Sequence, residues 1–409
     1  MQRISINSQQ PRQARMSSIP FVIGITGHRD LRSEDIPVLS QVIRSQLTSW
    51  MDRCPHTEFF CMTSLAEGAD QLCGRIASDL GMQLIVPLPM EQAVYETDFR
   101  DTALDAFRAL LAQAASVIIA PDTEKLHDES RDYAYRQAGI YIARHCHVLL
   151  ALWDGLAGES GCCGTAQAVD FKTKRTYRLA DSLLSVPNEG IVLQIVTPRI
   201  SGKELPEASL TAQLIENASD TLLALMEDTD GFNQDAAGID ASKSVGVFDT
   251  ETMRLLGQAA EPLQQLYRLA DALALRNRDI YLSMLKWLCA TGALLVVMFL
   301  LYDECEANLF LIAYGLIATI ALILFLLAKR GRCHRKYVEY RLFAETLRVQ
   351  LNLLASGLVV DTEELMTWSQ RMNCPWIRAA MHTLPQSGQT KPDVPADVRT
   401  IWMRAQLRY

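Results

Sequence analysis

From Pro20 to Arg199, short apolar runs alternate with stretches of helical spacing. Phe21–Thr26, Glu58–Thr63, Gln83–Pro87, Ser116–Ala120, Val148–Trp153 and Ile191–Thr197 are rich in apolar and β-branched residues, which predicts strands. Helical segments of roughly ten to twenty residues separate them, Ser33–Trp50 and Arg131–Arg144 among them. This alternation predicts an α/β domain with a mostly parallel sheet and helices on both faces.

The pattern changes beyond residue 250. Trp287–Tyr302 carries no charge and is extended backward by Leu285, with Lys286 placed to snorkel. Leu309–Ala328 is a second uncharged run, about 30 Å long as a helix, the thickness of a bilayer core. Spans over 285–302 and 309–328 are expected, a two-transmembrane hairpin. Between them lie Asp303, Glu304, Cys305, Glu306, Ala307 and Asn308. Arg276, Arg278 and Lys286 precede the first span, and Lys329, Arg330, Arg332, Arg335 and Lys336 follow the second. The positive-inside rule then puts the acidic turn outside and both chain ends in the cytoplasm.

Long helical arms lead into and out of the spans. Leu256, Ala259, Leu263, Leu266, Ala270 and Leu273 form one seam; Tyr337, Tyr340, Ala344, Leu347, Leu351 and Leu354 form another. Steps of three and four imply that the arms pack on each other or on neighbouring subunits. The chain divides into a disordered polar arm (1–18), an α/β domain (19–200), an insertion or connector (201–250), the arms and spans (251–360), and a C-terminal cytoplasmic helical segment (361–409).

Composition narrows the function classes. The 409-residue chain is 49% hydrophobic, and its net charge of −8 (39 basic against 47 acidic residues) leaves no basic excess for nucleic acid. Its ten cysteines show no zinc-ligand spacing and read as reduced, buried thiols. His145 and His147 flank Cys146 at a strand entry, where alternating directions favour structural roles over a metal site.

Ligands of parallel α/β sheets bind beyond the carboxyl ends of the strands. The first strand ends in Gly27, His28, Arg29 and Asp30; the glycine lets backbone approach a ligand and Arg29 can fork onto a phosphate. The second ends in Ser64, Leu65, Ala66, Glu67, Gly68, Ala69 and Asp70, opening a helix whose amides suit an anion. The fifth ends in Trp153, Asp154 and Gly155, a stacking surface beside a carboxylate that can take a ribose hydroxyl. Gly158, Gly161 and Gly164 then precede Thr165, a candidate nest of N–H groups for phosphate. A Walker lysine and a GxGxxG run are absent, against an ATPase or a dehydrogenase.

The ordered set GITGHRD, SLAEGAD, the YxxDF-like Tyr95–Phe99, LLALWDG and GCCGTA resembles the SLOG family of Rossmann-like nucleotide-binding domains over Phe21–Thr197. The hairpin with Tyr340, Arg341, Ala344, Glu345 and Arg348 resembles the SLATT family, two-helix membrane effectors found beside SLOG domains in bacterial conflict systems. In SLOG relatives that cleave nucleotides the glycine loop continues Gly-Thr-x-x-Glu. Here Gly164 and Thr165 lead to Ala168, so the acid is missing and sensing is favoured.

The resemblance implies a sensor of a nucleotide second messenger, ADP-ribose-like or cyclic. It would gate an oligomeric two-helix effector in the bacterial inner membrane, in antiviral defence. No catalytic residue, metal or required cofactor is expected. The alternatives are a membrane-tethered nucleotide N-glycosidase or phosphoribohydrolase, with Glu67 or Asp154 as base, and a scaffold subunit of a transporter.

Overall fold

β1 (Phe21–Gly27) is apolar on both faces, as a strand covered from both sides must be. The computed structural model describes residues 18–122, 130–156, 164–174, 190–200, 209–215, 219–241, 244–256, 260–357, 374–383 and 400. In it β1 lies between β2 (Phe59–Met62) and β5 (Val148–Trp153), parallel to both. β3 (Gln83–Leu88) and β4 (Ser116–Ile119) extend the sheet beyond β2; β6 (Ile191–Val196) and β7 (Ala212–Leu214) extend it beyond β5. Every pairing is parallel except that of β6 with β7. The chain thus builds outward from β1 to β4, then restarts at β5 on the other side of β1. The order reverses between β1 and β5, and the carboxyl ends of the strands at such a reversal are where ligands of open parallel sheets bind.

Between the strands come α1 (Ile36–Arg53), α2 (Ala69–Asp79), α3 (Gln92–Tyr95), α4 (Asp101–Leu111), α5 (Arg131–His145) and α6 (Thr165–Lys174). Ile142, Cys146 and Val169, on or beside α5 and α6, pack with Val22, Met62, Leu149, Ala151 and Val192 to form the core on one face. α2 covers the other, its Ala69 set against Gly27. The buried Lys172 is satisfied by carbonyls at the end of α5, donating from Nζ to Ala143 O (3.1 Å) and Cys146 O (2.5 Å).

Residues 201–250, expected to be an insertion or connector, contribute β7 and much of α7 (Ser219–Ala237). Leu222, Leu225, Met226 and Phe232 of α7 are buried, and Asn233 exchanges hydrogen bonds with both backbone groups of Ile19 (2.7 and 2.9 Å). This segment therefore helps to build the α/β unit.

The described residues fall into two compact units whose boundary lies in α7, between Gln234 and Asp235. The first also holds a short helix from the C-terminal region, α12 (Pro375–Thr383), whose Trp376 is buried 5.6 Å from the Phe232 ring. The second contains α8 (Thr250–Leu256), α9 (Ala260–Cys305), α10 (Asn308–Gly331) and α11 (Cys333–Ser356).

α9 runs unbroken for 46 residues, about 69 Å, from its arm through the first apolar stretch. Its arm packs on α11 of the same chain, burying Leu263, Leu266, Ala270 and Leu273 against Tyr340, Phe343, Ala344, Leu347 and Leu351. Asp271 pairs with Arg341 (2.6 Å) across this seam. The apolar lengths of α9 and of the helix starting at Asn308 are long enough to cross a membrane, and neither is buried within the chain. Exposed side chains such as Leu309 (71%) and Ile312 (62%) separate these helices from a soluble core, which buries such residues.

Candidate functional site

The loops at the β1–β5 reversal are stitched together by their backbones. Gly68 takes a φ of +87° and lies against the His28 and Arg29 carbonyls, while Ala69 N donates to His28 O (3.0 Å). A Cβ on Gly27 would stand 2.4 Å from Ala69 Cβ. Both glycines are therefore required by the close approach of α2 to the end of β1. Just before them, Leu65 is held in the left-handed region (φ 56°) with its N–H donating to Thr63 Oγ1 (3.1 Å). Strained backbone of this kind collects at ligand-binding positions.

His28 joins β1 to β5. It is buried, its N–H donates to Leu152 O (3.1 Å), and its Nε2 accepts from Asp154 N (3.1 Å), 3.4 Å from Asp154 Oδ1. Burial pushes the imidazole pKa below 6.5, against the opposing pull of Asp154. The neutral ring with Nε2 as acceptor fits this bond. Asp154 Oδ1 accepts from Leu156 N (3.0 Å), and Trp153 Nε1 donates to Leu156 O (2.9 Å). The indole NH is thus engaged, and the ring packs in part on the core. Gln194 on β6 donates to Trp153 O (3.1 Å), and Asp30 pairs with Arg199 (3.1 Å).

The depressed pKa carries a pH signature. Because folded His28 resists protonation, its contribution to stability is present above about pH 6.5 and is lost as pH falls towards the folded pKa. Melting curves should show His28→Gln costing more stability at about pH 7.5 than at about pH 5.5. An equal cost at both would mean that the ring does not titrate differently on folding.

Arg29 is exposed and lies over the Tyr135 ring, its guanidinium carbon 5.2 Å from the ring centre. The Tyr135 hydroxyl donates to Asp98, which also pairs with Arg131. Arg131 donates in turn to Thr97 Oγ1 (3.0 Å). Behind them Tyr95 is fully buried, with edge contacts to Phe99 (4.9 Å) and Phe107 (5.5 Å), and its hydroxyl donates to Ser64 O (3.2 Å). The Tyr95–Phe99 run is thus the buttress behind the Arg29 and Ser64 loops. Tyr135, Asp98, Gln194 and Arg199 were not among the residues singled out in the sequence; Asp98 was within reach, since it sits inside that quoted run.

Asp70 is the buried carboxylate of the site. It accepts from Thr63 Oγ1 (2.9 Å) and from the Ala66 backbone, yet burial outweighs these bonds and the nearby Arg29 charge and pushes its pKa up to about 6. Ser64 is also buried, donating its hydroxyl to Pro87 O (2.7 Å), whereas Glu67 is exposed. Contacts therefore bring Gly27, His28, Arg29, Gly68, Asp70 and Asp154 together, with Ser64, Trp153 and Gly155 on the same loops. Gly164 is exposed at the start of α6, with open space where a side chain would project, and Thr165 beside it is buried. Neither makes a hydrogen bond to the other loops among the described residues. Gly161 lies outside the described residues, as does Gly158.

No protein-family model matches this chain, and no curated protein matches it in sequence.

Among the described residues no three His, Cys, Asp or Glu side chains converge as a metal site. His147, weighed above as a ligand, stacks on Phe21 (4.5 Å) and accepts from Val22 N at Nδ1 (3.0 Å). The site combines the exposed Arg29 guanidinium, strand-end loops backed by the Tyr95–Phe99 run, an aromatic face at Trp153 and the start of α6. Such a set can grip an anionic, ring-bearing molecule by charge and stacking.

Proposed function

We propose that this chain is a ligand-gated membrane effector. Its α/β unit is a Rossmann-like, SLOG-type sensor of a nucleotide-derived signal, ADP-ribose-like or cyclic. Its second unit is a SLATT-type hairpin that spans the bacterial inner membrane twice with both chain ends in the cytoplasm. The observation that carries the sensor reading is Arg29, exposed and braced on Tyr135 at the point where the strand order reverses. For the hairpin, the support is two long apolar helices left uncovered by the rest of the chain, with an acidic turn at one end and basic flanks at the other.

Two helices cannot enclose a pore, so the effector acts as a homo-oligomer. Each subunit adds differential affinity for the active arrangement, and several together shift an equilibrium that one could not. The second reading is nucleotide hydrolysis at an N-glycosidic bond, favoured by one observation: burial raises the carboxyl pKa of Asp70, in the first turn of α2, to about 6.

Full-length protein in dye-loaded proteoliposomes, titrated with ADP-ribose and with cyclic nucleotides, tests the proposal. A ligand that binds should release dye and be recovered chemically unchanged. Arg29→Ala should raise the half-maximal concentration about ten- to hundredfold, the worth of one charge-assisted bond. Nucleotide turnover without dye release would replace the effector with the enzyme.

A further inference from the structure

Several cations of the second unit are paired with acids. Along α9 and α11, Arg278 pairs with Asp279 (2.9 Å), Arg335 with Glu339 (2.5 Å) and Lys336 with Asp235 (2.7 Å). Arg341 pairs with Asp271 (2.6 Å) and Arg348 with Glu345 (2.6 Å). Lys286, Lys329, Arg330 and Arg332 differ. All four are exposed, none has an acidic partner among the described residues, and they directly flank the apolar lengths of α9 and α10. Arg276, farther along α9, is also exposed and has no acidic partner among the described residues.

Helix geometry places the four together. α9 and α10 pack on each other and are joined by the short turn at Glu306 and Ala307. At about 1.5 Å per residue, Lys286 lies about 29 Å from that turn along α9, and Lys329 about 32 Å along α10. Both reach one level at the end opposite Asp303, Glu304 and Glu306. Trp287, 63% exposed, stands at the same level, and the Tyr281 and His334 rings meet at 4.7 Å a little beyond it. An amphipathic aromatic belt and a ring of unpaired cations bounding an apolar cylinder match a leaflet surface that carries negative charge.

We propose that Lys286, Lys329, Arg330 and Arg332, with Trp287, form a collar that binds the phosphates of anionic phospholipids, so that the hairpin seats in anionic bilayers in preference to neutral ones. The proposal rests on the membrane reading given above. The cations that come next beyond the collar on α9 and α11, Arg278, Arg335 and Lys336, are neutralised within the protein, whereas the collar is left for charges that the protein does not supply. Each collar cation near an anionic surface should raise bilayer partitioning about fivefold, and the effect should fade with added salt.

Detergent-solubilised full-length protein is diluted into vesicles of phosphatidylcholine alone, or of phosphatidylcholine with phosphatidylglycerol, and recovered by flotation. Partitioning should be about a hundredfold or more higher with phosphatidylglycerol. The Lys286→Gln, Lys329→Gln, Arg330→Gln, Arg332→Gln variant should still float, with the preference nearly abolished. Arg335→Gln with Lys336→Gln, which removes two paired cations, should leave the preference close to that of the wild type. Equal flotation of wild type with both vesicles would overturn the collar and leave the hairpin reading standing, as would an equal loss of preference in the paired-cation variant. Flotation with neither vesicle would overturn both.

Discussion

Gly68→Ala is expected to destabilise the α/β unit by about 3 kcal/mol or more, because two separate costs fall on one methyl group. The first is conformational: Gly68 has φ +87° and ψ −118°, a region that residues with a Cβ rarely occupy. The second is steric. The new Cβ would lie 2.4 Å from Arg29 O, 2.6 Å from His28 O and 2.7 Å from Arg29 Cα, all backbone atoms that cannot swing aside. Gly81→Ala shows the cost of a positive φ without a clash, since Gly81 has φ +82° and nothing within 4 Å of the added atom. It should lose about 1–2 kcal/mol. Gly27→Ala meets a side chain instead, Ala69 Cβ at 2.4 Å, so Ala69→Gly should restore part of its loss. Denaturant unfolding of the full chain in mild detergent measures all four variants. Equal losses for Gly68→Ala and Gly81→Ala would mean that the β1 loop does not press on α2 as described.

The strands and arm seams were legible because each is a run whose burial follows directly from local spacing. Val148–Trp153 is expected and observed over the same residues. In the seams, Leu263, Leu266, Ala270, Leu273, Tyr340, Ala344, Leu347 and Leu351 are buried at the expected helical steps. Tyr337 and Leu354, expected on the same seam, are only half-buried, and Phe343 and Ala355 are fully covered instead. A straight helix drifts against a fixed heptad, so the ends of a seam rotate off the contact. β7 escaped because it is three residues at a sheet edge with little buried surface, leaving no alternation to detect.

The site was legible as loops but not as interactions. Arg29, His28 and Asp154 stand out because strand ends are where such residues gather. Tyr135 looks like any other residue of α5 until the fold brings it under Arg29. Gly27 was expected to admit a ligand's approach and Gly68 to open a helix whose amides suit an anion, and the closest neighbours of each are protein atoms of the adjoining loop and helix. A glycine in sequence signals that something comes close; only the fold says what.

Asp70→Asn should stabilise the folded chain at about pH 8 and have little effect near pH 4, a difference of about 3 kcal/mol between the two conditions. Asp70 is 7% exposed, and burial raises its carboxyl pKa from 3.8 to about 6 despite hydrogen bonds from Thr63 and Ala66. The folded chain therefore holds this proton more tightly than the unfolded one. Its contribution to stability is fully present below pH 3.8 and is lost as pH rises through about 6, the gap corresponding to about 3 kcal/mol. Asparagine has the shape of the protonated acid and keeps an acceptor for the Thr63 hydroxyl, but it never ionises. Above pH 6 it escapes the cost of burying a charge that the single nearby cation, Arg29, offsets only in part. A site that retains such a charge near a cleft trades stability for electrostatics, and the same variant tests that trade. With Asp70 neutral, Arg29 loses a counter-charge; an anionic ligand should then bind at least as tightly while the chain unfolds at higher denaturant. Denaturant midpoints of wild type and Asp70→Asn across this range decide the matter. A variant weakened equally at every pH would mean that the Thr63–Asp70 bond, and not the buried charge, governs this position.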